Sequence, residues 1–255
     1  MYEAEPLDYV LDLDLDFFVW PVSRGPREHD RLPDCECERV ASEEEVHRFL
    51  GERCHLNPPA RIQGRELHEH VEAFGAWRDW LLVGELSEPF GVVHVDGHAD
   101  VGAGLNLTFA YLDEFLALPL GKRRNPRMGE KGLNSGNYLL GAIANRWVAS
   151  LTYVYPTHLV SQRDCVPLGD FPPQCFKNND LETKQIQLKG YSKQEHMKAN
   201  PIPIHIEPCV PFELVPNHRF EFSGFTHMVV AQSPQYTPRS ADRLLPIIRQ
   251  YLAPA

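Results

Sequence analysis

Several features that mark large classes of protein are missing from this sequence. No apolar run approaches the roughly 20 residues that a membrane-spanning helix needs, so we expect no contact with a membrane. No cysteine pair has the C-x-x-C spacing of a zinc ribbon, and the six cysteines are expected to be free thiols. The first ten residues are acidic and lack the basic n-region of a secretory signal. These absences predict a cytoplasmic protein.

Positive charge is also scarce. The 255 residues include 35 acidic and 25 basic side chains, which gives a formal net charge of -10 at pH 7. Binding to nucleic acid needs a basic surface that neutralises phosphates, so we expect no nucleic-acid partner. The negative balance is compatible with a cationic substrate. A homo-oligomer is compatible with this composition, which does not determine the number of subunits.

Strand-like and helix-like segments alternate along the chain. This alternation predicts an α/β fold of three layers, in which helices cover both faces of a mostly parallel sheet. We expect one domain over residues 1–255, with its site at the carboxyl ends of the strands. The polar segment 167–208 is expected to contain strands joined by loops. The strands are predicted in LDYVLDLDLDFFVW, FGVVHVDGHADVG, VASLTYVYP and FTHMVVAQSP, and the helices in SEEEVHRFLGERC, GRELHEHVEAFGAWRDWLLVGE, LTFAYLDEFLALPL, YLLGAIANRW and SADRLLPIIRQYL.

The segment GVVHVDGHADVG (91–102) has three metal-ligand side chains directly after an apolar run. In an extended backbone, Asp96, His98 and Asp100 would leave the same face, because side chains alternate with a period of two. Close carboxylates repel each other unless a cation or a proton lies between them. We interpret the segment as part of a metal site. The alternative is a solvated loop that follows a strand.

A second acidic segment, VLDLDLDFFV, repeats the pattern. Asp12, Asp14 and Asp16 share one face of the predicted strand, and leucines occupy the other. The alternative is an edge strand with a solvated acidic face. Two such strands in one chain favour a shared binuclear site. Carboxylates with imidazole suit two Mn²⁺ ions best, with Fe²⁺, Co²⁺ or Zn²⁺ as alternatives, and two divalent ions that share a hydroxide form a nucleophile at neutral pH.

These motifs resemble those of a known superfamily. Asp96-Gly-His98-Ala-Asp100 looks like the D-A-H-x-D motif of the arginase/agmatinase (ureohydrolase) superfamily, and Asp14-Leu-Asp16 resembles its D-x-D motif. NSGNYLLG is similar to the S-G-N segment of arginases, and VVAQSPQYTP to the last strand and turn of the peptide arginases, which the layout resembles most. The resemblance implies an arginase/deacetylase-like fold and a precursor peptide as partner, whose arginine side chains are hydrolysed to ornithine and urea.

The resemblance also implies which residues bind metal. In arginases a further histidine ligand precedes the D-A-H-x-D motif. Here we choose His70 for this role, with His68 as the alternative. Both could instead be histidines on a helix surface. The other implied metal ligands are Asp14, Asp16, Asp96, His98 and Asp100.

Catalytic and substrate-binding roles follow from the same resemblance. His98 and Asp100 would be catalytic, and Asp100 would pass a proton to the leaving amine. Ser135 and Asn137 would position the substrate near its backbone. The carboxylate that holds the guanidinium group has no counterpart in the motifs, and we choose Glu207.

Three features depart from the family pattern. The D-x-D motif precedes D-x-H-x-D here and follows it in arginases, so its strand must reach the same place in the sheet through a permuted connection. The G-G-D-H motif of arginases has no literal match. The segment between Asp100 and Ser135 is longer and is either a solvated basic loop or a flap that shapes a wider mouth for a peptide. Its basic residues are Lys122, Arg123, Arg124, Arg127 and Lys131.

Other functions remain alternatives. A deacetylase-type amidohydrolase of the same fold would use a single zinc ion, and an arginase or agmatinase would act on a small guanidine. A phosphatase of the haloacid-dehalogenase type is disfavoured, because the residue two positions after its D-x-D motif would be Asp16 or Phe18 rather than Thr or Val. The non-enzyme alternative is a binding module that a metal stabilises.

Overall fold

Eleven strands and five α-helices make up the computed structural model, which describes residues 7–23, 31–102, 107–156, 185–198 and 200–253. The predicted segment 167–208 therefore lies partly outside the described residues. The strands are β1 (Tyr9–Asp14), β2 (Val19–Trp20), β3 (Arg39–Val40), β4 (Gln63–Leu67), β5 (Phe90–Val95), β6 (Val148–Tyr155), β7 (Gln185–Ile186), β8 (Lys189–Gly190), β9 (His205–Ile206), β10 (Val210–Pro216) and β11 (His227–Ala231). The α-helices are α1 (Glu43–Arg48), α2 (Glu72–Val83), α3 (Leu107–Leu116), α4 (Tyr138–Ala144) and α5 (Leu245–Ile248).

Seven of these strands form the central sheet, in the order β4-β11-β1-β5-β6-β10-β7. Neighbouring strands run parallel, except that β10 and β7 are antiparallel. The predicted α/β fold with a mostly parallel sheet is confirmed. Strand β1 lies in the interior of this sheet, between β11 and β5, and its residues from Val10 to Asp14 are buried. The interpretation of this segment as an edge strand with a solvated acidic face is therefore wrong.

Apolar side chains cover both faces of the central sheet. On one face, residues of α2, α3 and α4 pack in a single hydrophobic cluster with Val10 and Val92. On the other face, residues of α1 and α5 pack in a second cluster with Leu11 and Val93. Because successive side chains of a strand point to opposite faces, a strand that is apolar on both must be covered on both. The central strands are therefore shielded from water along most of their length.

Helix α1 begins as the sequence predicts. The Ser42 hydroxyl accepts a hydrogen bond from the Glu45 amide (3.2 Å), and the Glu45 carboxylate accepts one from the Ser42 amide (2.7 Å). This reciprocal pair is a capping box, which satisfies two amides that the first turn leaves without a partner.

The C-terminal helix differs from its prediction. A 3-10 turn, Arg239–Leu244, precedes the short α5, and Ser240, at which the predicted helix begins, lies inside that turn. Pro246 lacks the amide that a longer helix would need, so the regular α-helix is confined to the residues around it. Strand β10 was not predicted, because its prolines, Pro211 and Pro216, are unusual in a strand.

None of the helices in the described ranges is long and apolar enough to cross a lipid bilayer.

Candidate metal centre

Two neighbouring strands of the central sheet end in acidic residues. Strand β1 ends at Asp14, and the following 3-10 turn, Leu15–Phe18, carries Asp16, whose amide donates to the Asp14 carboxylate (3.0 Å). Strand β5 ends at Val95, immediately before Asp96. Because β1 and β5 are parallel neighbours, their carboxyl ends meet at the same edge of the sheet. The two acidic segments therefore lie side by side.

The three side chains after β5 converge through a turn and not through an extended backbone. Residues 96–98 and 100 are bends, and Asp100 has a φ of 46°, in the left-handed region. The prediction that a period of two would align Asp96, His98 and Asp100 is therefore wrong, although all three side chains do come together. The Asp96 carboxylate accepts a hydrogen bond from the His98 amide (2.7 Å), which holds the turn closed. The reading of this segment as a solvated loop is also wrong, because Asp96 and Asp100 are buried.

Gly97 allows the two acidic segments to touch. Its amide donates to the Asp16 carboxylate (3.0 Å). A Cβ atom at this position would lie 2.6 Å from a methyl group of Val22 and 3.2 Å from the Asp16 carboxylate. A side chain here would therefore push the segments apart, which explains why a glycine separates Asp96 from His98.

The first group of candidate ligands surrounds His70. Its Nδ1 atom lies 3.0 Å from carboxylate oxygens of both Asp14 and Asp96, and 3.1 Å from one of Asp100. Its Nε2 atom lies 3.1 Å from the Asp12 carboxylate. Burial raises the pKa of Asp12, but His70 and a further histidine outweigh this and lower it to about 2. The ionised Asp12 accepts a hydrogen bond from Nε2, which leaves Nδ1 directed at the three other carboxylates.

The second group of candidate ligands surrounds His98. Its Nδ1 atom lies 2.8 Å from the Asp16 carboxylate and 3.6 Å from that of Asp96. Its Nε2 atom lies 2.7 Å from the backbone carbonyl of Ser23. A carbonyl can only accept, so Nε2 carries the hydrogen and Nδ1 faces the carboxylates. Both groups thus present an imidazole nitrogen to carboxylate oxygens, and they share Asp96.

The alternative histidine, His68, lies outside these groups. It is exposed, and its ring contacts the side chain of Gln232 (3.1 Å). Both His68 and His70 lie between β4 and α2, which begins at Glu72. The interpretation of these histidines as helix-surface residues is therefore wrong.

The donor atoms of the cluster fit divalent cations. Buried atoms of Asp16, Asp96 and His70 have no hydrogen-bond partner in the described part of the chain. Such orphaned buried atoms are costly unless an ion satisfies them. Carboxylate oxygen and imidazole nitrogen are ligands that Mn²⁺, Fe²⁺, Co²⁺ and Zn²⁺ accept. Within each of four overlapping groups, the candidate ligand atoms lie within 4.8 Å of one another. This buried cluster could therefore hold a metal ion.

The ionisable groups of the cluster strongly affect one another. Burial raises the pKa of Asp16, and the neighbouring charge of Asp96 raises it further. Burial and Asp96 also raise the pKa of Asp100, to about 6. Burial opposes a charge on His70, but Asp12 outweighs it, and the pKa of His70 is raised well above its ordinary value. Protons thus relieve the repulsion between carboxylates here, and a divalent cation would replace them.

Two further residues of the cluster, His94 and Tyr138, were not predicted, and Asp12 was noted only for its place on the strand. Asp12 lies opposite His94 across the β1–β5 ladder, and the His94 Nδ1 atom is 2.9 Å from its carboxylate. The Tyr138 hydroxyl also donates to Asp12. The sequence does hold a signal for His94, because it stands two positions before Asp96 on the same strand face. Nothing in the sequence points to Tyr138.

His94 connects the two ligand groups. Its Nε2 atom donates to the backbone carbonyl of His98 (3.1 Å), and its Nδ1 atom faces the Asp12 carboxylate. The same carboxylate also accepts a hydrogen bond from the His70 ring. Both nitrogens therefore face acceptors, which requires a protonated ring. Burial opposes this charge, but the hydrogen bond to Asp12 and the charge of Asp96 raise the pKa of His94. A continuous buried chain thus runs from His70 through Asp12 and His94 to His98.

Replacing Asp12 by asparagine should therefore weaken metal binding without removing a direct ligand. An amide oxygen is a poorer acceptor than a carboxylate, so His70 would lose the partner that directs its Nδ1 atom at the cluster. We expect metal affinity to fall by about 10- to 100-fold, the usual cost of losing such a partner. Titration with Mn²⁺ followed by calorimetry would measure this change. Unchanged affinity in Asp12→Asn would show that Asp12 does not orient His70.

The predicted substrate residues Ser135 and Asn137 lie in the turn before α4. The Ser135 hydroxyl accepts a weak hydrogen bond from the amide of Val71 (3.3 Å), the residue after His70. The Asn137 side chain accepts from the amide of Asn134 (2.9 Å) and donates to the carbonyl of Gly132 (3.2 Å). Asn137 thus shapes the turn itself. The substrate-binding roles of both residues stay predictions.

Glu207 lies in a buried ion pair and not in the cluster. Its carboxylate accepts hydrogen bonds from Arg123 (2.6 Å) and Arg146 (2.9 Å). Arg123 also donates to the backbone carbonyls of Leu116 and Ala144. This arginine is one of the basic residues between Asp100 and Ser135, so that segment is anchored to the ends of α3 and α4 at this point. The carboxylate of Glu207 is fully engaged by the chain's own guanidinium groups.

Replacing Glu207 by alanine should therefore act on stability. Arg123 would stay buried without its carboxylate, and we expect the free energy of unfolding to fall by about 3–5 kcal/mol, as when one partner of a buried pair is removed. Denaturant unfolding would measure it. The control is Glu88→Ala, which breaks the more exposed pair with Arg124 and should cost less than about 1 kcal/mol. A stable Glu207→Ala protein with weaker substrate binding would instead support the predicted role in substrate recognition.

Comparison of the chain with models of protein families and with curated proteins found no match in either, so the residues and the geometry of the cluster carry the case for its function.

Proposed function

We propose that this protein is a binuclear metal-dependent hydrolase that acts on arginine side chains of a precursor peptide. Hydrolysis adds one water across the bond between the guanidinium carbon and the side-chain nitrogen, which yields urea and leaves ornithine in the peptide. One observation carries the proposal. The six predicted metal ligands lie together at the carboxyl ends of two central strands. Five of them come from two short motifs, and the sixth is a histidine before the D-x-H-x-D motif. They are Asp14, Asp16, His70, Asp96, His98 and Asp100.

Each of the two cations would have its own set of ligands. One would be held by His70 together with Asp14, Asp96 and Asp100, whose oxygens face the Nδ1 atom of its ring. The other would be held by His98 and Asp16, with Asp96 shared between the two. Divalent cations bound there supply Lewis acidity, which makes water a nucleophile at neutral pH.

The side chains around the cations would contribute in different ways. Asp100, whose carboxylate faces the Nδ1 atom of His70, could take up a proton and pass it to the nitrogen that leaves the guanidinium carbon. His98 is oriented by its hydrogen bond to the carbonyl of Ser23, and His70 by Asp12. Because the cluster is buried, bulk water is excluded from its charged groups, and the electrostatic interactions between them are stronger.

The relative position of the two motifs also supports the family resemblance. Strand β1, which ends in Asp14, and strand β5, which Asp96 follows, are direct neighbours, although their order along the chain is reversed relative to arginases. A shared site requires that these strands be adjacent, whichever comes first. We therefore propose an arginase/deacetylase-like fold with a permuted connection.

A urea assay tests the proposal. The protein is stripped of metal, loaded with Mn²⁺ and incubated separately with free arginine, agmatine and an arginine-containing peptide. We expect urea from the peptide and no urea from metal-free protein. Urea from none of the three, while metal is bound, would reject the proposal in favour of a metal-stabilised binding module. Metal analysis that gives a single zinc ion per chain would favour the deacetylase-type alternative.

A further inference from the structure

A polar pocket of about 520 Å³ opens beside the metal cluster. Two chain segments, 68–69 and 234–235, contribute to its walls. The volume is within the range of sites that hold small organic ligands. The pocket is lined by Arg31, His68, Glu69, Pro234, Gln235, Arg239 and Asp242.

Both wall segments continue directly into the cluster. Glu69 immediately precedes His70. Pro234 follows Ser233, whose hydroxyl donates to the Asp14 carboxylate and whose amide donates to the carbonyl of His68 (2.9 Å). Beyond Gln235, the ring of Tyr236 packs edge-on against His98, with 4.9 Å between ring centroids. The wall at 234–235 thus lies between two residues that each contact one ligand group, so the pocket lies close to the cluster.

The side of the pocket nearest the cluster carries a carboxylate that forms no ion pair with the described residues. Glu69 is partly buried, and no residue in the described ranges forms a hydrogen bond or an ion pair with its side chain. A partly buried carboxylate that lacks a paired cation attracts one.

The pocket also carries a guanidinium group that is open to a ligand. Arg31 is engaged, because it pairs with Asp242 and donates to the carbonyl of Pro238 (2.9 Å). Arg239 is exposed and forms no hydrogen bond or ion pair with the described residues, although its charge acts on the exposed Asp34. The pocket therefore presents one unpaired negative group beside the cluster and one unpaired positive group in a more exposed position.

We propose that this pocket binds a ligand with two opposite charges, in which Glu69 holds a cationic side-chain end beside the metal cluster and Arg239 holds a carboxylate. The inference rests on the proposed function and narrows its substrate class. The substrate would be an arginine that has a carboxylate close by, either its own backbone carboxylate or the side chain of an adjacent acidic residue. A guanidine without a carboxylate, such as agmatine, would bind less well.

Lysine-based probes test this pocket without turnover, because an ammonium group has no carbon that water can attack to release urea. Mn²⁺-loaded protein is titrated calorimetrically with Nα-acetyl-lysine, with its amide, and with the amide of acetyl-lysyl-aspartate. We expect wild-type protein to bind the carboxylate-bearing probes about 10-fold more tightly than acetyl-lysine amide, as for one charge-assisted hydrogen bond. The first and third probes distinguish a backbone carboxylate from an acidic neighbour.

Two substitutions assign the two ends of the ligand. Glu69→Gln should weaken binding of all three probes by about 10-fold or more, whereas Arg239→Ala should remove only the preference for a carboxylate. Glu213→Gln, which changes an exposed carboxylate on β10, is the matched control. Equal binding by wild-type, Glu69→Gln and Glu213→Gln proteins would overturn the inference.

A parallel urea assay separates this inference from the proposed function. Binding that depends on Glu69, in a protein that releases no urea, would support the pocket and reject the hydrolase. Urea release from an arginine peptide with an unchanged KM in Glu69→Gln would reject the pocket and support the hydrolase.

Discussion

Asp96→Asn should abolish urea release and reduce the metal content of the protein. Asp96 belongs to three of the four groups of candidate ligands and is the residue that joins the His70 group to the His98 group. Its loss therefore affects both cations. We expect metal affinity to fall by more than the roughly 100-fold that marks the upper end for an indirect partner, because a direct ligand is removed. Elemental analysis after dialysis and the urea assay measure the two effects.

The choice of asparagine makes this result interpretable. Asparagine has the size of aspartate and keeps an oxygen that can accept the hydrogen bond from the His98 amide, which holds the turn closed. The change thus removes charge while it leaves the shape of the turn. Asp79→Asn, in a partly exposed ion pair with Arg65, is the matched control and should bind metal normally. Full metal content and full activity in Asp96→Asn would refute the assignment of the site.

Removal of divalent cations should lower the stability of the folded protein. The cluster buries five carboxylates close together, and without a cation only histidines and protons relieve their repulsion. A cation that binds only the folded state stabilises it by about 2.7 kcal/mol at 100 times its dissociation constant and about 4.1 kcal/mol at 1,000 times. In a chain of this size we expect the melting temperature to rise by about 5–15 °C when Mn²⁺ is added to stripped protein. The carboxylates are those of Asp12, Asp14, Asp16, Asp96 and Asp100.

Thermal unfolding with a chelator and with excess Mn²⁺ measures this shift. Asp96→Asn should respond much less than wild-type protein, whereas Asp79→Asn should respond fully. If the melting temperature of wild-type protein were the same with chelator and with Mn²⁺, the cluster would be a proton-balanced structural network and not a metal site.

The sequence was sufficient to identify most of the residues of the cluster. Alternation of apolar and acidic residues in VLDLDLD predicted that Asp12, Asp14 and Asp16 share one face of a strand, from the local geometry of an extended chain. This is confirmed for Asp12 and Asp14 in β1 and wrong for Asp16, which lies in the 3-10 turn that follows. The residue types themselves indicate metal chemistry. The alternation of strands with helices was likewise sufficient to predict a mostly parallel sheet. Even so, the sequence left His68 and His70 as alternatives, because their spacing to Asp96 says nothing about which of them faces the sheet edge.

Other features depend on contacts between distant parts of the chain. The hydrogen bond between Asp12 and His94 follows from the register of two neighbouring strands, although the two residues are 82 positions apart in the sequence. Glu207 forms an ion pair with Arg123, 84 positions away, and no local sequence pattern predicts that pair. The turn at 96–100 reaches the cluster through the left-handed conformation of Asp100, which a period-two argument cannot anticipate.

The sequence by itself indicated residues suited to metal binding and most of the strands and helices near them, since both depend on residue type and short-range periodicity. Only the tertiary structure decided that β1 is an interior strand, that its carboxylates are buried beside those after β5, and that a charged pocket adjoins them. The reason is physical. Burial and strand neighbours are set by how the whole chain packs, and the same alternating strand would be stable either at a wet edge or at the centre of a sheet.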